Sequence, residues 1–249
     1  MLKDRIADID IIKNEIDHYR PLPVYCIPML KEYFRIGLTY SSNALEGNTL
    51  TETETKVILE DGLTIGGKTI KEHLEVIGHG QAYDFMWRQV HNTKISEYDI
   101  TELHRLFYYR IDQENAGCYR TVPVFVTGTD FEFPKPPQVP LLMQEFLQEI
   151  LSLKKQYHPV HYAALLHIKL VTIHPFVDGN GRTARLLMNL ALLQSGYAVT
   201  IIPPIMRPAY ISAIQKGNKG NITPFLDFIS EMVYESSKEY LRLIKSVVL

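Results

Sequence analysis

The segment from residue 174 to residue 185 constrains the fold of this 249-residue chain more than any other. It reads His-Pro-Phe-Val-Asp-Gly-Asn-Gly-Arg-Thr-Ala-Arg and lies between two apolar stretches with helical periodicity. Pro175 disfavours helical geometry in the residue before it, so the first helix must end near His174. Gly179 and Gly181 permit left-handed backbone and close approach, after which a second helix begins. The sequence therefore predicts two helices joined by a short polar loop.

Helical periodicity dominates the rest of the chain, beginning with isoleucines at positions 6, 9, 12 and 16. A capping-box pattern at Thr51–Glu54 predicts a short helix that ends near Gly62. The other predicted helices cover residues 29–44, 69–91, 96 or 101 to 111, 139–156, 160–173, 181–194, 208–216 and 224–244. One segment differs: Val122–Phe133 alternates and is rich in Val and Phe, which predicts a β-hairpin turning at Gly128. We expect a mostly α fold, a helical bundle with one hairpin.

The composition restricts the classes of partner. Lys and Arg total 26 and Asp and Glu total 28, a net charge of −2, so no nucleic-acid partner is expected. No stretch reaches the roughly 18 apolar residues of a membrane span, so no membrane partner is expected either. The N-terminus has no apolar signal region, and Cys26 and Cys118 stand far apart. These features predict a cytoplasmic protein.

The polar loop gathers groups suited to phosphate-ester chemistry. A Gly-Asn-Gly turn that opens a helix is an anion site, because backbone N–H groups and the helix dipole face the ligand. Arg182 and Arg185 are three residues apart on that helix and share a face. Asp178 can hold Mg²⁺ against phosphate oxygens, and His174 has a pKa suited to accepting a proton. These groups together predict a phosphate-transfer site.

Taken singly, each feature is also common in proteins that have no such site. A histidine before proline often caps a helix, Gly-Asn-Gly is often only a turn, and paired arginines are often a solvated face. The loop is not a Walker A motif, because no Gly-Lys-Ser/Thr follows its glycines. It is not an EF-hand, because Phe176 and Leu187 would stand at ligand positions. The histidines from 158 to 174 lack the HExxH zinc spacing.

At every fixed position, the segment matches the signature HPFx(D/E)GNGRxxR of the Fic family, which the chain resembles from about Thr101 to Leu226. The resemblance implies a Fic fold and a protein adenylyltransferase. Such an enzyme transfers AMP from ATP, with Mg²⁺, to a Ser, Thr or Tyr hydroxyl in an extended segment of a target protein, which can be the enzyme itself. It also implies that residues 63–249 are the catalytic domain with its C-terminal helices.

The resemblance assigns a role to each matching residue. His174 would be the general base, and Asp178 would hold Mg²⁺. Phosphate groups would be bound by the loop and by the helix that follows it, at Gly179, Asn180, Gly181, Arg182 and Arg185. Tyr210 and Asn218 resemble residues that line the adenine pocket of the family. We call residues 122–133 the flap segment, because they match the family's flap, whose backbone would dock the target through Val124, Phe125 and Val126.

A second match lies upstream, where Ser42-Asn43-Ala44-Leu45-Glu46-Gly47 fits the inhibitory motif (S/T)xxxE(G/N) of the family. The resemblance implies that residues 1–62 form an N-terminal helical segment carrying this motif. Glu46 would pair with Arg185 where the γ-phosphate should bind, and the enzyme would be autoinhibited. The structural alternative is that Gly47 simply caps a helix.

Several alternatives to AMP transfer remain open from the sequence. Relatives on the same scaffold transfer UMP, phosphocholine or phosphate, although Arg182 and Arg185 favour a triphosphate bound in the usual direction. In some relatives the inhibitory glutamate supports removal of AMP from a modified protein. A nucleotide-binding regulatory module is the non-enzymatic alternative. The resemblance also allows a homodimer.

Overall fold

The computed structural model describes residues 4–126 and 129–248. Within these residues no helix is both long enough and apolar enough to cross a membrane. The described residues contain ten α-helices and no β-strand, which confirms the predicted mostly α class: α1 Ile6–His18, α2 Cys26–Ala44, α3 Glu52–Lys56, α4 Ile70–Arg88, α5 Glu97–Tyr108, α6 Val139–Gln156, α7 Pro159–Ile173, α8 Asn180–Gln194, α9 Arg207–Asn218 and α10 Thr223–Val248.

Helices α7 and α8 form the centre of the molecule. Helix α8 packs against α7, α4 and α5 and is buried along most of its length, including its polar residues, so each buried polar side chain needs a partner within the protein. The side-chain amide of Asn189 is hydrogen-bonded inside the core. Its Oδ1 accepts from the Thr200 N–H at 2.6 Å, and its Nδ2 donates to the Arg185 carbonyl at 2.9 Å. The two arginines of α8 lie in its first two turns, so its charge is concentrated at the end nearest the polar loop.

The two N-terminal helices pack onto this centre. Helix α1 lies along α10, and α2 lies against α4 with contacts to α8. Ile9 of α1 and Phe34 and Leu38 of α2 belong to the same hydrophobic core as α7 and α8. The packing places the C-terminal end of α2 beside the first turns of α8. The division into residues 1–62 and 63–249 stays a prediction.

Local capping signals fix where several helices begin. Thr51 accepts from the Glu54 N–H and the Glu54 side chain accepts from the Thr51 N–H, which confirms the predicted capping box. Helix α3 continues as one π-helical turn, Val57–Asp61, which ends at Gly62 with φ 66. Of the two predicted starts of α5, Ser96 is the N-cap, because its side chain accepts from the backbone of the third helical residue.

The predicted β-hairpin is wrong for the described part of the flap segment. Neither residues 122–126 nor residues 129–133 form a strand, and Gly128 lies outside the described residues. Pro123 has no N–H to donate, and an isolated pair of strands is marginal in water. The segment is held at its ends instead: Arg120 donates to the Val122 carbonyl at 3.2 Å and to the Pro134 carbonyl at 2.6 Å.

Candidate active site

His174 ends α7 in an unusual backbone conformation. Its φ of 53 and ψ of 58 are left-handed, and it is the one non-glycine residue with positive φ in the described part of the chain. Such a conformation costs about 1–2 kcal/mol for a residue with a Cβ. Its N–H donates to the Leu170 carbonyl at 2.9 Å, and its own carbonyl accepts from Arg120 Nε at 2.7 Å. Hydrogen bonds on both sides of the residue therefore hold the conformation.

The tautomer of the His174 imidazole follows from its neighbours. Nδ1 lies 3.2 Å from the Val171 carbonyl oxygen, which can only accept, so Nδ1 carries the proton and Nε2 keeps its lone pair. The ring also packs against Phe133, with centroids 4.4 Å apart. Burial lowers the pKa of His174 to about 4. The imidazole is therefore neutral near pH 7 and has one nitrogen ready to accept a proton.

The polar loop between α7 and α8 is closed by its own side chains. Asn180 Oδ1 accepts from the Phe176 N–H at 2.9 Å, and Asn180 Nδ2 donates to the Phe176 carbonyl at 2.8 Å. The Gly179 N–H donates to Asp178 Oδ1 at 2.6 Å. Gly179 adopts φ 76, where a side chain would be strained and its Cβ would lie 2.8 Å from Phe107. The loop thus presents the first turn of α8, whose N–H groups have no partners within the helix.

Arg185 is anchored from several sides. It is 1% exposed. Its Nε donates to Ser42 Oγ at 2.9 Å, and its Nη2 donates to the Ser42 carbonyl and to Glu46 Oε1, each at 2.8 Å. Its Nη1 donates to the Tyr210 hydroxyl at 3.2 Å. Ser42, near the end of α2, therefore contacts the Arg185 guanidinium through its hydroxyl and its carbonyl. Glu46, just after α2, contacts the same guanidinium through its carboxylate.

Glu46 remains partly accessible, with 36% of its side chain exposed. Burial of the rest would raise its pKa, but the positive charges of Arg185, Arg182 and Arg207 outweigh that effect and hold the pKa below its usual range. The carboxylate is therefore ionised near pH 7. A Cβ at Gly181 would collide with this carboxylate, so the glycine allows Glu46 to approach α8.

Arg182 has a partner that the sequence did not reveal. Its Nη1 donates to Glu75 Oε1 at 3.0 Å, and both side chains are buried. Its guanidinium lies 4.2 Å from the ring centroid of Phe107 and 3.5 Å from Asp178 Oδ1. Asn48, just after the inhibitory motif, donates to Glu75 Oε2 at 2.9 Å. No local sequence pattern identifies Glu75 as a partner of Arg182. The one available signal is that Glu75 is an acidic residue at a helical position between two apolar residues.

A cavity of about 270 Å³ brings some of these groups together, and among the described residues neither Asp178 nor Arg182 lines it. Its polar part contains His174, Glu46, Gly181 and Arg185. Its lining also includes the flap residues Val126, Thr129 and Phe133, and residues of α7 and α9, namely Val171, Arg207, Tyr210, Ile211, Ile214, Gln215 and Asn218. The cavity therefore joins a neutral imidazole, an anion site and an apolar compartment.

Tyr210 and Asn218 both line this cavity, and each has a partner. The Tyr210 hydroxyl accepts from Arg185, so its own proton points to His167 Nε2 at 2.7 Å. Asn218 Oδ1 lies 2.8 Å from the Thr172 hydroxyl. Tyr210 thus also supports Arg185, which the sequence did not predict.

The flap segment contributes apolar side chains on the cavity side and outside it. Phe125 is 94% exposed, whereas Val124 is partly buried and Val126 lines the cavity. Phe133 packs on the imidazole of His174. Target docking through Val124, Phe125 and Val126 stays a prediction.

Asp178 is accessible, with 48% of its side chain exposed. No group of three or more acidic, histidine or cysteine side chains forms a metal cage among the described residues. A single carboxylate fits Mg²⁺ that binds together with substrate phosphates, because Mg²⁺ commonly takes one or two protein carboxylates. His104, another residue that the sequence did not reveal, supports this loop: its Nδ1 accepts from the Gly117 N–H at 2.9 Å, and its Nε2 donates to the Asp178 carbonyl at 3.0 Å.

Comparison with known proteins gives consistent matches. The profile of the Fic/DOC family matches residues 94–192. Protein adenylyltransferase Fic from Drosophila melanogaster is 42% identical over 204 residues, which are 81% of this chain and 41% of that protein. The chain thus spans about two fifths of the length of the curated relatives it matches.

Solved structures resemble almost the whole chain. Fic-1 from C. elegans has a TM-score of 0.87 and 31% identity, and the match covers 97% of this chain and 72% of that chain. A Fic-domain-containing signalling protein from Bacteroides thetaiotaomicron has a TM-score of 0.88 and 28% identity, over 96% of this chain and 98% of that chain.

Proposed function

The chain belongs to the Fic family, and we propose on that basis that it transfers AMP from ATP to a Ser, Thr or Tyr hydroxyl of a target protein. The observation that carries the proposal is the cavity that joins His174 to Arg185 and the start of α8. Relatives named protein adenylyltransferase Fic support the choice of donor and acceptor. The proposal covers this chain, which is shorter than those relatives.

His174 is the general base in this proposal. Its Nε2 takes the proton of the target hydroxyl as the hydroxyl oxygen attacks the α-phosphorus. The bond between the α-phosphorus and the bridging oxygen to the β-phosphate breaks, AMP remains on the target, and pyrophosphate leaves. The neutral imidazole with Nδ1 fixed on the Val171 carbonyl is the form that such a base requires.

The first turn of α8 and its two arginines bind the phosphates. The N–H groups of Asn180 and Gly181 and the helix dipole favour a negative charge at this point. Arg182 stabilises the charge that develops on the leaving pyrophosphate, and Arg185 binds the γ-phosphate. Positive groups held in place before the reaction are usually the largest single contribution to such catalysis. The apolar side of the cavity, beside Tyr210 and Asn218, takes the adenine.

Asp178 would hold Mg²⁺ against the nucleotide phosphates, and the bound ion would supply further positive charge there. His104 and the Gly179 N–H keep the Asp178 main chain and carboxylate in place for this role. The flap segment docks the target by backbone contact around Val124, Phe125 and Val126.

Glu46 inhibits this reaction by occupying Arg185. The carboxylate lies 2.8 Å from Nη2, where a γ-phosphate oxygen would otherwise bind. Ser42 holds the same guanidinium, and Gly47 ends the motif in a left-handed conformation with φ 97. ATP must then displace Glu46 or bind with its α-phosphate out of line, and a displacement of about 1 Å can lower the rate about 100-fold.

Three further points belong to the proposal. Removal of AMP from a modified protein is the second activity, because the partly exposed Glu46 carboxylate lines the same cavity as His174 and can orient a water. A cytoplasmic location is proposed because Cys26 and Cys118 are both unpaired. A homodimer is proposed from the family resemblance.

Label transfer from ATP tests the proposed reaction. Wild type, Glu46→Gly and Glu46→Gly with His174→Ala are incubated with Mg²⁺ and ATP labelled at the α- or the γ-phosphate, alone and with cell lysate. We expect protein label from the α position only, strongest in Glu46→Gly and absent without His174. Asp61→Gly, an acidic-to-glycine change at an exposed position, is the matched control and should equal wild type.

The remaining outcomes separate the alternatives. Label from the γ position alone indicates phosphate transfer, and label from neither indicates another donor or a nucleotide-binding module. Equal α-label in wild type and Glu46→Gly contradicts the inhibition. An AMP-modified target that purified wild type leaves intact contradicts the removal activity.

A further inference from the structure

Arg120 is a buried arginine whose side chain is bound by main-chain oxygens. It is 3% exposed. Its Nε donates to the His174 carbonyl, its Nη1 to the Val122 carbonyl and its Nη2 to the Pro134 carbonyl, at 2.7, 3.2 and 2.6 Å. A buried charge without a carboxylate is costly to keep, so three carbonyl contacts on one guanidinium indicate a specific role for this residue.

The three carbonyls belong to two parts of the site. His174 is the base in the proposed function, and its strained backbone is held partly by this contact. Val122 is the first residue of the flap segment, and Pro134 directly follows its last residue. The main-chain N–H of Arg120 also donates to the Pro175 carbonyl at 2.8 Å. One residue therefore connects both ends of the flap segment to the backbone of the base.

We propose that Arg120 is a positioning residue that fixes the flap segment relative to His174, so that a hydroxyl docked on the flap meets Nε2. This inference rests on the proposed function and adds to it a determinant of alignment between target and base. It concerns the acceptor side of the reaction, because the Arg120 side chain bonds to the flap segment and the base and not to the residues that bind phosphate.

The chemistry of the side chain explains why arginine is needed. A guanidinium presents donors in a rigid planar fork that can reach three acceptors in fixed directions, whereas a lysine is a single flexible point charge. The charge also acts on the base. Burial is the main cause of the low pKa of His174, and Arg120 lowers it further, whereas Glu46 and Asp178 raise it. Removing the Arg120 charge should therefore raise the pKa of His174.

The test uses Arg120→Lys and Arg120→Gln in the full chain carrying Glu46→Gly. Three quantities are measured: the rate of AMP transfer, the Kd of a non-hydrolysable ATP analogue, and the melting temperature. We expect transfer to fall about 10- to 100-fold in both variants, because a misplacement near 1 Å has an effect of that size. The Kd should change by less than about threefold, since a factor of three is under 1 kcal/mol.

The pH dependence distinguishes positioning from a general structural role. The acid limb of the kcat/KM profile should lie at higher pH in Arg120→Gln than in the parent, whereas Arg120→Lys should keep the limb of the parent. Arg105→Lys, which changes an exposed arginine paired with Glu102, is the matched control and should resemble the parent throughout.

Two results would overturn the inference. One is transfer by Arg120→Lys within threefold of an active parent. The other is a loss of transfer that is matched by an equal loss of nucleotide affinity. If the parent itself transfers nothing, the proposed function fails, and the NMR chemical shifts of the flap segment and of the His174 ring then test the positioning: shifts in Arg120→Gln equal to those of the parent would contradict it. If Arg120→Gln does not fold, Arg120→Lys carries the test.

Discussion

The Glu46 carboxylate lies close to both Arg185 and Gly181. Its approach to Arg185 requires that position 181 has no side chain, since a Cβ there would meet the Glu46 carboxylate. In the proposed function, the same glycine would let nucleotide phosphates approach the first turn of α8. In the proposed inhibition, carboxylate and phosphate compete for one space and one guanidinium. Charge and volume both contribute to this competition, and a substitution can separate them.

Glu46→Gln keeps the volume and removes the charge. Its amide oxygen can still accept from Arg185 Nη2, but a neutral acceptor is about half as strong as a charged one. We expect the AMP-transfer rate to rank Glu46→Gly above Glu46→Gln above wild type, with steps of about tenfold, which correspond to about 1.4 kcal/mol each. Initial rates at fixed ATP measure the ranking. If Glu46→Gln equals Glu46→Gly, volume has no part in the inhibition.

At the residue scale, the sequence identifies candidate site residues that lie in one contiguous motif. It does not identify the residues from distant parts of the chain that contact them. His174, Asp178, Arg182 and Arg185 lie within one loop and one helix, so their spacing predicts a common site; His174 and Arg185 line one cavity, and the shared role of all four stays a prediction. Glu75 pairs with a residue 107 positions away, and no periodicity reports such a pair. Arg120 and His104 were missed for the same reason, because their partners lie 54 and 74 positions away.

Among the elements, helices were predictable where caps and proline give local signals. Thr51 begins α3, and Ile173 ends α7 just before His174 and Pro175. The conformation of the flap segment was not predictable, because alternating Val and Phe form a strand only where a partner strand pairs with them. Its conformation depends instead on Arg120 and on the contact between Phe133 and His174.

Helices α4 and α8 are joined by the buried pair Glu75–Arg182, and a double-mutant cycle measures its strength. The variants are Glu75→Gln, Arg182→Gln and both together. Breaking a buried pair costs about 3–5 kcal/mol because one charge is left unpaired, whereas removing both charges costs less. We expect a coupling of about 2 kcal/mol or more in the free energy of unfolding by urea.

The matched control for this cycle is the exposed pair Glu235–Lys238 within α10. Its coupling should be no more than about 0.5 kcal/mol, as for other exposed pairs on one helix. A Glu75–Arg182 coupling as small as that of the control would show that the two helices do not depend on this pair. The prediction that the Glu75–Arg182 pair stabilises the folded protein would then be wrong.

For the whole molecule, the arginines of the site influence several buried histidines. Burial lowers the pKa of His79 to about 3 and that of His104 to about 4, and it brings the pKa of His167 well below its usual value. Positive charge from Arg182 or Arg185 adds to each of these shifts. With His174, four histidines are therefore neutral in the folded protein at mildly acid pH.

These histidines make folding stability depend on pH in a definite direction. In the unfolded chain each has a pKa near 6.5, so between pH 6.5 and the folded values the unfolded state binds more protons. Stability from this source is present above pH 6.5 and is lost as the pH falls. Four such groups lose about 5 kcal/mol between pH 7 and pH 5.5, which is a large part of the stability of an ordinary domain.

Urea unfolding at pH 7, 6.5, 6 and 5.5 measures this loss, and His79→Asn isolates one group. Asn can replace the contact of His79 Nδ1 with the Thr39 hydroxyl, 3.0 Å away, without binding a proton on unfolding. The variant should be less stable than the parent at each of these pH values, because a cavity remains. Its loss of unfolding free energy between pH 7 and pH 5.5 should be about 4 kcal/mol, compared with about 5 kcal/mol for the parent. A loss below about 2 kcal/mol in the parent would mean that the histidines are protonated in the folded state. An equal pH dependence in parent and variant would mean that His79 is protonated in the folded state, so that its burial and the added charges of Arg185 and Arg182 do not keep it neutral.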